Sequence, residues 1–119
     1  MPSIAFVAPI LPGKTDQLRE AAHSHAPGGP RREAYEASRE RHGIKRELAW
    51  LQSTPMGDLN IVYLETDDPE ATFAGLASSQ DPFDVWFRTG AREMLGVDIE
   101  DGVPAPELLL DFDAVPSAS

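Results

Sequence analysis

The first apolar run, SIAFVAPI over residues 3–10, puts Ile4, Phe6, Ala8 and Ile10 on one side of a strand and Ala5 and Val7 on the other. Apolar residues on both sides predict a strand buried on both faces. The period then changes. TDQLREAAHSH (15–25) reads as a helix that Thr15 caps from Asp16 onward, and APGGP (26–30) interrupts it, since two prolines and two glycines cannot continue a helical ladder. RREAYEASRERHG (31–43) resumes with strong helix formers and stops at Gly43. Its apolar stripe is only Ala34, Tyr35 and Ala37, which predicts a surface helix.

Two alternating segments follow, IKRELAWLQS (44–53) and LNIVYLET (59–66), joined by TPMGD, where Pro55 and Gly57 supply turn chemistry. This is a hairpin. DDPEATFAGLASS opens a helix with Asp68 as cap and Pro69 in the first position, carrying Phe73, Leu76 and Ala77 on one side. SSQDPFDVWFRTGAREMLG repeats the device with Asp81 and Pro82, buries Phe83, Trp86, Phe87, Met94 and Leu95, and ends at Gly96. A loop rich in proline and acids, VDIEDGVPAP, leads to a final strand, ELLLDF (107–112), and residues 113–119 read as a loose tail.

Strand, helices, strand, strand, helices, strand is the order of a ferredoxin-like β-α-β-β-α-β unit, an α+β fold with an antiparallel sheet and helices on one face. Residues 1–112 then form a single domain. Such a short chain has nothing left to cover the sheet's other face, so a second copy is the economical cover and a homodimer is expected.

Which hairpin residues face that partner depends on register. One parity sets Glu47 on the same face as Glu65, which like-charge repulsion disfavours. The other groups Ala49, Leu51, Val62 and Leu64 toward the helices and leaves Leu48, Trp50, Gln52, Ile61, Tyr63 and Glu65 on the opposite face. That mixed aromatic and polar set has the composition of a ligand site. Trp50 can stack, Gln52 and Tyr63 can hydrogen-bond, and Glu65 can serve as a base if desolvated. Trp86 joins them as a ligand candidate, although its spacing with Phe83 and Phe87 also suits a core position. Arg88 and Arg92 lie off that stripe, placed to meet an anion or to pair with Asp84 and nearby acids.

Composition narrows the chemistry. The chain has 119 residues, no Cys and a formal net charge of −10, which excludes thiolate chemistry and disfavours nucleic acid. The charge is uneven: residues 1–47 hold eight Lys/Arg against six Asp/Glu, or +2, and residues 48–119 hold two against fourteen, or −12. No apolar run approaches the roughly 20 residues of a membrane span, so no membrane partner is expected and a cytoplasmic location is the default. APILPGKT (8–15) matches a relaxed phosphate-binding loop, but Pro9 and Pro12 lack the N–H groups such a cradle requires, and a proline turn describes it better. His23 and His25 are two apart, so they diverge on a helix and share a metal only if the helix ends there. No metal and no cofactor are expected, and His25 joins Tyr63 and Glu65 as a catalytic candidate.

The PGK after the first strand, the hairpin ELAWLQSTPMGDLNIVYLETDDPE, the helix start SSQDPFDVWFR and the closing PELLLDF resemble the dimeric α/β-barrel superfamily, and within it a small bacterial family of uncharacterised proteins. The resemblance spans nearly the whole chain. It implies ferredoxin-like domains paired into a dimeric α/β barrel. Members of that superfamily include heme-degrading and cofactor-free monooxygenases, mutarotase-like sugar isomerases and stress-response proteins, so it implies no single reaction. The expectation is a homodimeric protein binding a small organic molecule at the sheet face. The alternative is a cofactor-free monooxygenase or isomerase working through Tyr63, Glu65 or a histidine.

Overall fold

The computed structural model describes residues 2–103 and 106–114; most of the tail expected at 113–119, from 115 on, lies outside the described residues. The elements are β1 (Ser3–Pro9), α1 (Thr15–Ser24), α2 (Arg32–Arg41), β2 (Ile44–Thr54), β3 (Gly57–Thr66), α3 (Pro69–Ser78) and α4 (Pro82–Leu95), followed by a short 3₁₀ turn at Ile99–Asp101. The strands form an antiparallel sheet in the order β1-β3-β2, with the helices against one face. This is a mixed α+β architecture.

Register follows the parity that separates Glu47 from Glu65. Ala49 pairs with Val62 and Glu47 with Leu64 on the helix side, while Trp50 pairs with Ile61 and Leu48 with Tyr63 on the other. The core lies between sheet and helices, where Ile44, Leu64, Leu76, Ala91 and Ile99 cluster and Phe6, Val62, Phe73 and Phe87 pack against them. Both acid-proline starts hold: Asp68 accepts from the Ala71 amide at 3.1 Å and Asp81 from the Phe83 amide at 2.9 Å. Gly96 closes α4 in the left-handed conformation, φ 66°, where a Cβ is unfavourable.

Four expectations are corrected. β1 is covered on one face only, with Ile4, Phe6 and Ala8 turned inward and Val7 57% exposed, because no second layer meets its outer side. Helix α1 starts at Thr15 with Lys14 at the cap position, since the Thr15 hydroxyl donates to Asp58 at 2.7 Å instead of capping. The closing strand does not form: residues 107–112 run without regular structure, and neither edge strand of the sheet, β1 or β2, pairs with them. Arg88 pairs with a nearby acid, but that acid is Glu100 at 3.6 Å and not Asp84; it also donates to the Leu76 and Ser79 carbonyls at 2.8 and 2.7 Å, closing the end of α3.

Helix α2 was expected on the surface, and its docking is polar rather than apolar. Ser38 is fully buried and donates to Asp84 Oδ1 at 2.6 Å. Asp84 Oδ2 accepts from Ser79 at 2.6 Å, His42 Nε2 at 2.8 Å and Arg41 at 3.0 Å. Burial opposes the charged form of Asp84, but these donors outweigh it and hold its carboxyl well below the usual carboxylate range. The His42 carbonyl accepts from Thr72 at 2.7 Å, and Thr72 in turn meets Thr66 of β3 at 2.8 Å. Gly75 permits this approach, since a Cβ there would lie 2.7 Å from the His42 ring.

Removing the carboxylate would strand Arg41 and the hydroxyls. Asp84→Ala should cost about 3–5 kcal/mol in urea unfolding. A carboxyl depressed by folding lends stability that is full above the unfolded value, about 3.9, and is lost as pH falls toward the lower folded value. Wild-type stability should therefore fall below about pH 4, and Asp84→Asn should flatten that limb.

Candidate functional site

Helix α1 leans on α4 and stands off the sheet, leaving a cavity of about 500 Å³ between α1, α2, α4 and the inner face of β2 and β3. Its walls carry small side chains where large ones would have filled it: Ala21 and Ala22 from α1, Ala49 from β2 and Gly90 from α4. The volume suits a ring-sized organic molecule. Its lining is mostly apolar, with a polar group at one end.

That group is built on α2 and β2. Tyr35 donates its hydroxyl to Glu47 Oε1 at 2.6 Å, and Arg39 Nε donates to the same oxygen at 2.8 Å. The Arg39 guanidinium lies 4.7 Å from the ring centres of both Tyr35 and Phe87, a cation held between two π faces. Arg39 and Glu47 are both nearly buried and cancel each other's charge. Burial, with the Glu47 charge and hydrogen bond added, pushes the Tyr35 hydroxyl up to about 12. The polar end is thus neutral overall and presents the Tyr35 and Glu47 oxygens as acceptors.

Beside it, the His25 ring stacks on Tyr35 at 4.7 Å and meets Trp86 edge-on at 5.6 Å. Arg31 covers the other part of Trp86, its guanidinium carbon 4.1 Å from the ring centre. Burial, then the Arg39 charge, lowers the His25 pKa to about 4, so the ring is neutral near pH 7. Its Nε2 is enclosed without a hydrogen-bond partner and out of reach of water. His25 thus lays its ring against Tyr35 and Trp86, with Nε2 closed to a substrate.

The candidate residues from the sequence fall into two groups. His25 and Trp86 meet in the cavity. Trp50, Gln52, Tyr63 and Glu65 share the outer face of the sheet, away from the helices, although Trp50 on the edge strand also borders the cavity. There Glu65 accepts from Tyr63 at 2.6 Å and sits opposite Arg46. Tyr35, Arg39 and Glu47 were not singled out as site residues, because contacts 8 to 12 residues apart across a helix–strand junction leave no periodic signal. Among the described residues, no group of three or more His, Asp or Glu is arranged to hold a metal ion.

The loop 8–15 is not a phosphate cradle. The Ile10, Leu11 and Lys14 amides already donate to the Asp58, Met94 and Leu11 carbonyls. The Asp58 carboxylate occupies the Thr15 hydroxyl, where a phosphate would meet a like charge.

The enclosed histidine has a consequence for stability. A folded pKa near 4 against about 6.5 in the unfolded chain means the unfolded state binds the proton more readily between those values. The melting temperature of wild type should fall as pH drops from about 6.5 to 4, and His25→Phe, which keeps a ring on Tyr35, should fall less over that window in thermal melts.

Compared with protein-family models, curated proteins and solved structures, the chain matches none.

Proposed function

We propose that this chain is a small-molecule-binding protein whose ligand is an uncharged, ring-sized organic compound. The observation that carries the reading is the cavity of about 500 Å³ with a mostly apolar wall and one charge-cancelled polar end. The cations on its wall, Arg19, Arg32 and Arg39, are already paired with Asp16, Glu36 and Glu47, so a charged ligand would have to compete for them and its desolvation would go uncompensated. An uncharged ring gains apolar burial and stacking, and one donor on it can reach the Tyr35 or Glu47 oxygens.

A cofactor-free monooxygenase or isomerase would need a base within reach of its substrate. Within the cavity Glu47 already accepts from Tyr35 and Arg39, and His25 Nε2 is enclosed. Glu65 lies on the other face, engaged by Tyr63. Binding is the better-supported role.

We place the protein as a homodimer, with a second copy on the outer sheet face, in the manner of a ferredoxin-like pair. The support is the apolar surface left open there: Val7 and Trp50 are 57% and 51% exposed, and Ile61 pairs with both across the sheet. Monomers seldom leave such a patch contiguous and bare.

An uncharged naphthylamine dye that brightens in apolar surroundings tests the cavity. Wild type should bind it, and Ala49→Trp, which fills the cavity from an exposed position on β2, should weaken binding at least tenfold while the melting temperature holds. Absence of binding to wild type, or equal binding by the variant, would remove the cavity from consideration. For the dimer, light scattering should give twice the chain mass for wild type and the single-chain mass for Trp50→Glu.

A further inference from the structure

Among the described residues, 107–112 hold the longest run of exposed large apolar side chains. Leu108, Leu109, Leu110 and Phe112 are 78%, 85%, 81% and 80% exposed, so none has found a place in the chain's own core. The segment nevertheless has strand patterning. Leu108, Leu110 and Phe112 fall on one side, and Glu107, Leu109 and Asp111 on the other. Four large apolar side chains in water are unfavourable, and a free strand is a template for another strand.

The sheet offers two edges, and they differ. β2 has a register irregularity between Ile44 and Arg46 and carries Lys45 and Arg46 beside it, two devices that blunt an edge. β1 has neither. It pairs residue for residue with β3 from Ser3 to Pro9, holds no charged side chain, and among the described residues has no strand on its other side. Its edge is regular, uncharged and open.

We infer that residues 107–112 of one copy add as a strand to the β1 edge of a second copy, which returns its own arm to the first. This rests on the homodimer proposed above. The exchange is self-complementary, so each arm contact is made twice and the pair closes under two-fold symmetry. β1 itself carries no charge, so Glu107 and Asp111 of the arm meet no like charge on that strand. The same strand addition covers the exposed leucines and removes the β1 edge as an aggregation site.

The absence of cysteine makes cross-linking clean. Chains carrying only Ala5→Cys or Val7→Cys are mixed with mass-tagged chains carrying only Leu108→Cys or Leu110→Cys and oxidised. A disulfide between tagged and untagged chains is expected from at least one pairing. Linkage of the arm to Gln52→Cys on β2 instead, or an internal link in a Val7→Cys/Leu110→Cys double variant at high dilution, would overturn the assignment. In parallel, the full chain bearing Leu108→Ser, Leu110→Ser and Phe112→Ser, all at exposed positions, should dissociate at least tenfold more readily by light scattering with an unchanged circular dichroism spectrum. A triple variant that dimerises as well as wild type refutes the arm exchange and leaves the outer-face dimer standing. A wild type that is monomeric at every concentration refutes both.

Discussion

One buried carboxylate determines where the helices sit. Asp84 has no exposed surface, and its charge is tolerable only while Ser38, Ser79, His42 and Arg41 all donate to it. Those donors come from α2, from its C-terminal end and from the α3–α4 junction. Satisfying them together leaves little freedom in how α2 meets α4. The constraint continues through the His42 carbonyl to Thr72 and Thr66, which ties the helical layer to β3. A helix with a thin apolar stripe is held by directional bonds where burial alone would have let it slide.

The cavity is a consequence of that arrangement. With α2 and α4 fixed, and Arg39 bridging α2 to Glu47 on β2, helix α1 packs on α4 and is tied to the sheet at its first residue, where Thr15 donates to Asp58 of β3. Alanines and a glycine on the facing walls do not fill the gap. The aromatic rings of His25, Tyr35 and Trp86 gather at one end with the cations of Arg31 and Arg39 laid over them. The result is a mostly apolar space whose lining cations are paired with acids, with its aromatic rings gathered at one end.

The opposite side of the sheet has the reverse economy. The inner face spends its apolar residues on the core, while the outer face and the arm at 107–112 keep theirs in water. The proposed dimer and its exchanged arms answer both surpluses with one partner, and they explain why a segment patterned as a strand lies unpaired in the single chain.

The local elements were legible in the sequence, since each depends on neighbours along the chain. Asp-Pro pairs start α3 and α4, Gly96 stops α4, and alternation with the Glu47–Glu65 conflict selects the hairpin register. Side-chain alternation also separated Trp50 and Tyr63 from the core face correctly. What depends on distant contacts was not legible. The polar docking of α2 through Ser38, the Tyr35–Arg39–Glu47 group and the cavity arise where segments far apart in sequence converge, and no period marks them. Residues 107–112 show the limit most clearly. The sequence determined that 107–112 has the alternation of a strand, but a strand exists only where another strand supplies its hydrogen bonds, and that is settled by tertiary structure alone.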